Sequence, residues 1–350
     1  MADAARPPIS SLAPAEIADL VRAHGEPDYR ARQLIDWLAR GEEFAAMDNL
    51  PRSLRDALER EFRPSSLTVL RESRADSGFT TKVLYGLDGG YTVESVLMRY
   101  PDRSTLCISS QVGCPIGCPF CASGQGPFGR NLRAHEIVDQ ARDAARRLAS
   151  EGRRLSHVVF MGMGEPLANF AAVVEAVRTI SSPDHLGISP RRIVVSTSGL
   201  VPRIGELAAT RLPVTLAVSL HAARDALRDV LVPINRKYPL ATVAPAAQAY
   251  ARSSGRRVSY EWVLLAGVND TDRDARELGA LLDRRLAHVN LIPYNDVPGT
   301  GYRAPAPDQV ARFAAQVRAA GLNVTVRDNR GREADAACGQ LRARHLVEAG

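Results

Sequence analysis

Cys114-Pro115-Ile116-Gly117-Cys118-Pro119-Phe120-Cys121 places three thiols within eight residues, at the spacing C-x3-C-x2-C. A closed structural zinc site takes four protein ligands, so three thiols leave it incomplete. They also fall one short of the four irons of a 4Fe–4S cluster. A cluster held here would keep one iron open to a small molecule. A zinc ion completed by a remote His, or three buried small side chains, are the competing readings. Disulfides are disfavoured. The chain opens Met1-Ala2-Asp3 with no apolar signal segment, and no stretch reaches the ~18 apolar residues of a membrane span. A cytoplasmic protein without a membrane partner is expected, and there thiols stay reduced.

Upstream of this loop the chain changes period twice. Helical spacing runs through Ala15–Ala23, Tyr29–Leu38 and Leu54–Phe62. Residues 1–62 are read as a helical accessory module; Arg52, Arg55 and their neighbours would suit it to positioning RNA through phosphates, and a plain packing domain is the other explanation. Residues 63–106 read as a β extension leading into the core, with strands at Thr68–Leu70, Thr80–Tyr85, Tyr91–Met98 and Ser104–Ser109 broken by Asp-Ser-Gly and Asp-Gly-Gly turns. Downstream, helix and strand alternate. Helices at Ala134–Leu148, Ala171–Ile180, Ile204–Ala209, Leu240–Arg252, Asp272–Leu282 and Asp308–Ala320 each precede an apolar strand. The expected class is α/β, a parallel sheet that is open or curled into a partial barrel over residues 107–326. A tail of residues 327–350 follows, in which Ala336, Ala337 and Gly339 read as a mobile, unbulky segment rather than a packed helix.

In such sheets function gathers at the C-terminal ends of the strands. The first strand ends in the cysteine loop. The second ends in Gly162-Met-Gly164-Glu165-Pro166, where glycines admit a close ligand and Glu165 would accept from a cation. A tight strand-to-helix turn is the plainer explanation. Ser196-Thr-Ser-Gly199 ends the third, Ser219-Leu220-His221 the fourth, and Asn290-Leu-Ile-Pro-Tyr-Asn295 the sixth. Each is weak alone; around one three-cysteine loop they make a rim.

C-x3-C-x2-C resembles the signature of radical S-adenosylmethionine (SAM) enzymes, in which the open iron holds the amino and carboxylate groups of SAM. A fuller resemblance is carried by Cys107-Ile-Ser-Ser-Gln-Val-Gly-Cys114, Gly162-Met-Gly-Glu-Pro166, Ser196-Thr-Ser-Gly-Leu-Val-Pro202, Val218-Ser-Leu-His221, Val232-Pro-Ile-Asn235, Asn290-Leu-Ile-Pro-Tyr-Asn295 and Asp335-Ala-Ala-Cys-Gly-Gln-Leu341. In order, from about Gly25 to Leu341, these are similar to the RlmN/Cfr family of radical SAM RNA methyltransferases, and most similar to its RlmN branch.

The resemblance implies a partial (β/α)6-type barrel, one 4Fe–4S cluster on Cys114, Cys118 and Cys121, and SAM contacts at Gly164, Glu165, Ser196, Ser219, Leu220, His221 and Asn295. It implies methylation of adenosine carbon 2 in 23S rRNA and in tRNA, with two SAM per turnover. Cys338 would accept a methyl from the first SAM. A 5′-deoxyadenosyl radical from the second would take hydrogen from that methyl, and the carbon radical would add to carbon 2. Cys107 would then help remove the carbon-2 proton and release product by forming a disulfide with Cys338. Glu94 aligns with a family proton acceptor. An external electron donor such as flavodoxin and a monomeric enzyme are also expected. A Cfr-like carbon-8 methyltransferase is the alternative within the family. Outside it stand a non-catalytic, zinc-containing rRNA-binding protein and a radical SAM enzyme acting on a small molecule.

Charge agrees with a polyanionic partner without requiring one. Lys+Arg is 45 against 39 Asp+Glu, a net +6. Arginine clusters lie at Arg52, Arg55, Arg63, Arg71 and Arg74, at Arg130 and Arg133, and at Arg327, Arg330, Arg332, Arg342 and Arg344. A solvated face is the ordinary explanation of each cluster.

Overall fold

The computed structural model describes residues 6–327, 335–336 and 339–341. Helices α1 (Pro14–Ala23), α2 (Tyr29–Arg40) and α3 (Arg52–Glu61) form the N-terminal module. Their apolar faces meet in a small core of their own around Ile17, Val21, Leu34, Leu38, Leu54 and Leu58. Two anchors fasten the module. The Ile9 amide donates to the Arg63 carbonyl at 2.9 Å, and the Arg63 amide to the Pro7 carbonyl at 3.1 Å. Asp139, buried on helix α4 (Ala134–Ser150), accepts from the Ser10 hydroxyl at 2.7 Å and from the Ser66 amide at 2.8 Å.

Strands β1 (Thr68–Ala75), β2 (Thr80–Gly86), β3 (Thr92–Arg99) and β4 (Ser104–Cys107) run antiparallel in sequence order. A short ribbon, β5 (Gln111–Val112) with β6 (Arg130–Asn131), brackets the cysteine loop. From β4 the same sheet continues parallel through β7 (His157–Phe160), β8 (Ile193–Thr197), β9 (Thr215–Ser219), β10 (Val258–Leu264), β11 (Ala287–Pro293) and β12 (Asn323–Val326). The β extension is therefore one flank of a ten-stranded sheet, and β4 is where its direction changes.

Helices α5 (Phe170–Ser181), α6 (Val201–Ala209), α7 (Asp225–Leu231), α8 (Leu240–Ser254), α9 (Asp272–Leu281) and α10 (Pro307–Ala319) join the parallel strands. Their buried residues follow the helical period, as at Val173, Val174, Val177 and Ile180 of α5. The side chains of Val159, Val194, Thr215, Ser259, Glu261, His288 and Asn290 share the inner face and line an interior cavity. This lumen is polar, unlike the packed interior of a closed barrel. Among the described residues no helix is long and apolar enough to cross a membrane.

Two sequence readings change. The sequence reading had no helix at α7; it is short and lies between two rim segments. The tail segment was expected to be loose around Ala336. Instead Ala336 and Leu341 are buried in the main core.

Candidate active site

The loop after β4 is folded on itself by turns. The Cys121 amide donates to the Cys118 carbonyl at 3.1 Å, and Gly117 takes φ +71°. Cys114, Cys118 and Cys121 line one wall of a cleft of about 920 Å³. Burial pushes the Cys114 thiol up to about 12, against the amides of Ile116 and Gly117, which pull it down. Burial also raises the Cys118 thiol well above its usual value, and the neighbouring Cys121 and Cys114 add to it. Three thiolates therefore need a positive centre here, which bound metal supplies. Among the described residues, no three His, Cys, Asp or Glu side chains converge where a single metal ion would sit. Three thiols spaced along a single loop fit the separate irons of a cluster.

The loops after β4 and β7 are zipped together. The Gly162 amide donates to the Ile108 carbonyl at 3.1 Å, and the Ser110 amide to the Met163 carbonyl at 2.9 Å. A Cβ on Gly162 would lie 2.6 Å from the Ile108 oxygen; one on Gly164, at φ +108°, would lie 2.6 Å from Cβ of Gln111. Both glycines border the cleft, but contact between the two loops is what requires them. Glu165 is buried. Its carboxylate accepts from the Ser198 amide and hydroxyl, both at 2.7 Å, and from the Leu167 amide at 3.0 Å. Burial nonetheless raises its pKa. A further donor, such as an ammonium, would offset that desolvation.

Ser196, Ser219, His221 and Asn295 all line the same cleft. Leu220 does not; its side chain is in the core, and only its backbone belongs to the rim. His221 holds a left-handed backbone, φ +59°. Its Nδ1 accepts from the Val263 amide at 3.0 Å, so Nε2 carries the proton. Burial, with the nearby Arg228 charge, lowers its pKa to about 3. His221 is a neutral donor, not an acid or base.

Two residues escaped sequence reasoning. Arg228 of α7 is fully buried. Its guanidinium donates to the carbonyls of Ser198 (2.7 Å), Ser219 (3.0 Å) and Leu220 (3.1 Å), and to Oδ1 of Asn235 (2.8 Å). It ties two strand ends together beneath the cysteine loop, and burial lowers its pKa to about 10. Glu261 of β10 is buried at the floor of the cleft. Oε1 accepts from Ser259 and Asn290, while Oε2 has no hydrogen-bond partner among the described residues. A helix arginine and a strand glutamate both read as surface residues in sequence.

Cys107 is buried on the inner face, paired in register with Val96 and Val159. Glu94, two residues before Val96, shares that face; Lys82 lies 3.3 Å from its Oε1. Neither Cys107 nor Glu94 is among the residues lining the cleft. Tail residues reach both regions. Lys82 Nζ donates to the Asp335 carbonyl at 3.3 Å, and the Ala122 amide donates to the Gly339 carbonyl at 2.7 Å. Cys338, with Arg330, Arg332, Arg342 and Arg344, lies outside the described residues.

Several arginines of the sequence clusters are spent internally. Arg63 is buried and pairs with Asp88, Arg74 pairs with Glu72, and Arg130 grips Glu136 with two bonds of 2.7 Å. Arg55 donates to the Ala45 carbonyl within the module.

Comparison with known proteins agrees with this geometry. The profile of the radical SAM superfamily matches residues 108–278. The ribosomal RNA large subunit methyltransferase N-terminal domain matches residues 9–63. A probable dual-specificity RNA methyltransferase RlmN of Thermobifida fusca is 50% identical, over 96% of this chain and 94% of its own length. Its counterpart in Moorella thermoacetica is 47% identical, over 95% and 96% respectively. The crystal structure of a radical SAM methyltransferase from Sphaerobacter thermophilus superposes with a TM-score of 0.92, at 46% identity, over 96% of this chain and 99% of that one. The chain therefore belongs to the RlmN family of radical SAM RNA methyltransferases.

Proposed function

We propose that this enzyme methylates carbon 2 of one adenosine in the peptidyl-transferase centre of 23S rRNA, and of the adenosine beside the tRNA anticodon. The 4Fe–4S cluster, when bound, supplies the electron that cleaves SAM. Cys114, Cys118 and Cys121 hold it. Glu165 receives the SAM ammonium, His221 donates from Nε2, and Ser196, Ser219, Asn295 and the backbone at Gly164 and Leu220 fix the rest. Cys338 accepts a methyl as a nucleophile. Once that carbon is bonded to adenine, Glu94 takes the carbon-2 proton. Cys107 attacks the Cys338 sulfur; the S–S bond forms as the Cys338 carbon–sulfur bond breaks, and the freed carbon takes a proton to become the methyl group of the product. Two SAM are used per turnover, and an external donor such as flavodoxin restores the thiols and reduces the cluster. The enzyme acts in the cytoplasm as a monomer.

The observation that carries this reading is the pairing of a cluster-type thiol loop with a second, separate thiol. Cys107 is buried and turned to the inner face beside the Lys82–Glu94 pair. A small-molecule radical SAM enzyme has no need of that thiol. Mass spectrometry of adenosine isomers in rRNA and tRNA from a deletion strain is the test. Loss of 2-methyladenosine is expected; loss of 8-methyladenosine instead would assign the carbon-8 reaction.

A further inference from the structure

The cleft lies at the ends of the parallel strands. The opposite face, where those strands begin, has a chemistry of its own. The turn into β7 carries Arg154, that into β8 Arg192, that into β10 Arg257 and that into β11 Arg285. All four are exposed, and none ion-pairs with a carboxylate among the described residues. Each follows another arginine, and two of those brace the turns. Arg153 donates to the Arg103 carbonyl at 3.2 Å; Arg256 donates to the Arg191 carbonyl at 3.0 Å and to the Thr215 hydroxyl at 2.7 Å. Between the turns into β8 and β10 the lumen opens in a cavity of about 1000 Å³, lined there by Arg191, Arg256 and Arg257.

Helix C-termini also gather on this face, and they attract cations. Each carries roughly half a negative charge, whereas each of these turns brings two arginines. Of the nearby acids, Asp102 pairs with Arg103 at 3.2 Å and Glu151 with Arg99 at 2.6 Å; Asp283 accepts from the Arg285 amide at 2.9 Å and keeps its charge, against the two arginines that follow it. A surplus of positive charge remains. Burial lowers the pKa of His157, at the start of β7, and the charges of Arg192 and Arg103 lower it further.

We infer that this face is a second RNA-docking surface, taking backbone phosphates of the substrate RNA remote from the nucleotide being modified. The inference rests on the RNA-methyltransferase reading above. β10 is 7 residues long, so the two faces stand about 20 Å apart at roughly 3.3 Å per residue. A folded RNA spans that distance and presents a phosphate array, which arginines grip without reading sequence. An acidic electron donor is the poorer fit, because it has to approach the cysteine loop at the other end.

The test compares wild-type holoenzyme with the quadruple variant Arg154→Gln, Arg192→Gln, Arg257→Gln, Arg285→Gln. Binding of a tRNA transcript and of a 23S rRNA fragment is titrated across salt. Each lost phosphate contact lowers the slope of log K against log salt by roughly 0.7. The slope should fall by roughly 2 to 3, and affinity by roughly 100- to 1000-fold at about 0.1 M salt. If the quadruple variant does not fold, the pairs Arg154/Arg192 and Arg257/Arg285 are changed separately, each lowering the slope by about half as much. A control carrying Arg203→Gln, Arg276→Gln and Arg312→Gln, exposed on α6, α9 and α10, should keep the wild-type slope. An unchanged slope in the quadruple variant overturns the inference. A lower melting temperature with unchanged RNA affinity also overturns it, assigning the arginines to helix ends. Slower cluster reduction by flavodoxin with unchanged RNA binding does the same, giving the face to the electron donor. A wild-type enzyme that binds RNA yet leaves adenosine unmethylated would refute the proposed function and leave the docking surface standing.

Discussion

Arg228 shows how one side chain holds a rim together. Four acceptors, three of them backbone carbonyls, converge on its guanidinium. Methionine would fill much of the space but leave those oxygens buried and unpaired, each costing ~1–3 kcal/mol. Arg228→Met should therefore lose about 3 kcal/mol or more in denaturant unfolding. Arg228→Lys should recover little of it, because an ammonium cannot reproduce the planar fork. His221 makes a different prediction. Its folded pKa, about 3, lies below the ~6.5 of a free imidazole. Between those values the unfolded chain binds a proton that the folded chain does not. Stability therefore rises with pH in this window and is lost as pH falls below about 6.5. Unfolding free energies at pH 7.5, 6.5 and 5.5 should decline in that order, and His221→Asn should decline less steeply. Equal slopes for the two proteins would show that His221 titrates normally.

Elements place these residues by registry. The loops after β4 and β7 touch through Gly162, whose missing Cβ leaves room for the Ile108 carbonyl. Gly162→Ala forces a backbone shift in both loops, at ~1–3 kcal/mol. The shift passes directly to the cysteine loop, so cluster content after anaerobic reconstitution should fall along with stability. Full iron content in a destabilised Gly162→Ala would uncouple the loops. The alternation of helix and strand was legible because apolar runs such as Ile193-Val194-Val195 and helical faces such as that of α5 follow their periods. The rim was legible because polar residues stood where those strands stopped. Arg228 and Glu261 were not, because each lies inside an element where charge ordinarily means solvent. Leu220, at a strand end, reaches the rim through its backbone while its side chain packs in the core. The arginine turns at the opposite face carried no motif at all. Their meaning arises only when the sheet lines up turns that are far apart in sequence.

At the scale of the molecule, the sheet brings an early strand and a late tail to one place. β4 ends in Cys107, and the tail residues Asp335 and Gly339 are bonded to Lys82 and to Ala122. If Cys338 carries the methyl and Cys107 resolves the adduct, their alanine variants must fail at different steps. Cys338→Ala has no sulfur to methylate, so no carbon reaches RNA, and the protein should run free of nucleic acid on a denaturing gel. Cys107→Ala still loads Cys338 and still joins its carbon to adenine. It then lacks the thiol that breaks the carbon–sulfur bond by forming the disulfide. RNA should accumulate on the protein through a methylene bridge, seen as a shifted band that ribonuclease removes. Neither substitution touches Cys114, Cys118 or Cys121, so both variants should retain about four irons per chain, the content of one 4Fe–4S cluster. Two purely structural cysteines would give no covalent species in either variant. Two RNA-free variants with normal iron content and normal SAM cleavage would therefore remove Cys107 from the release step.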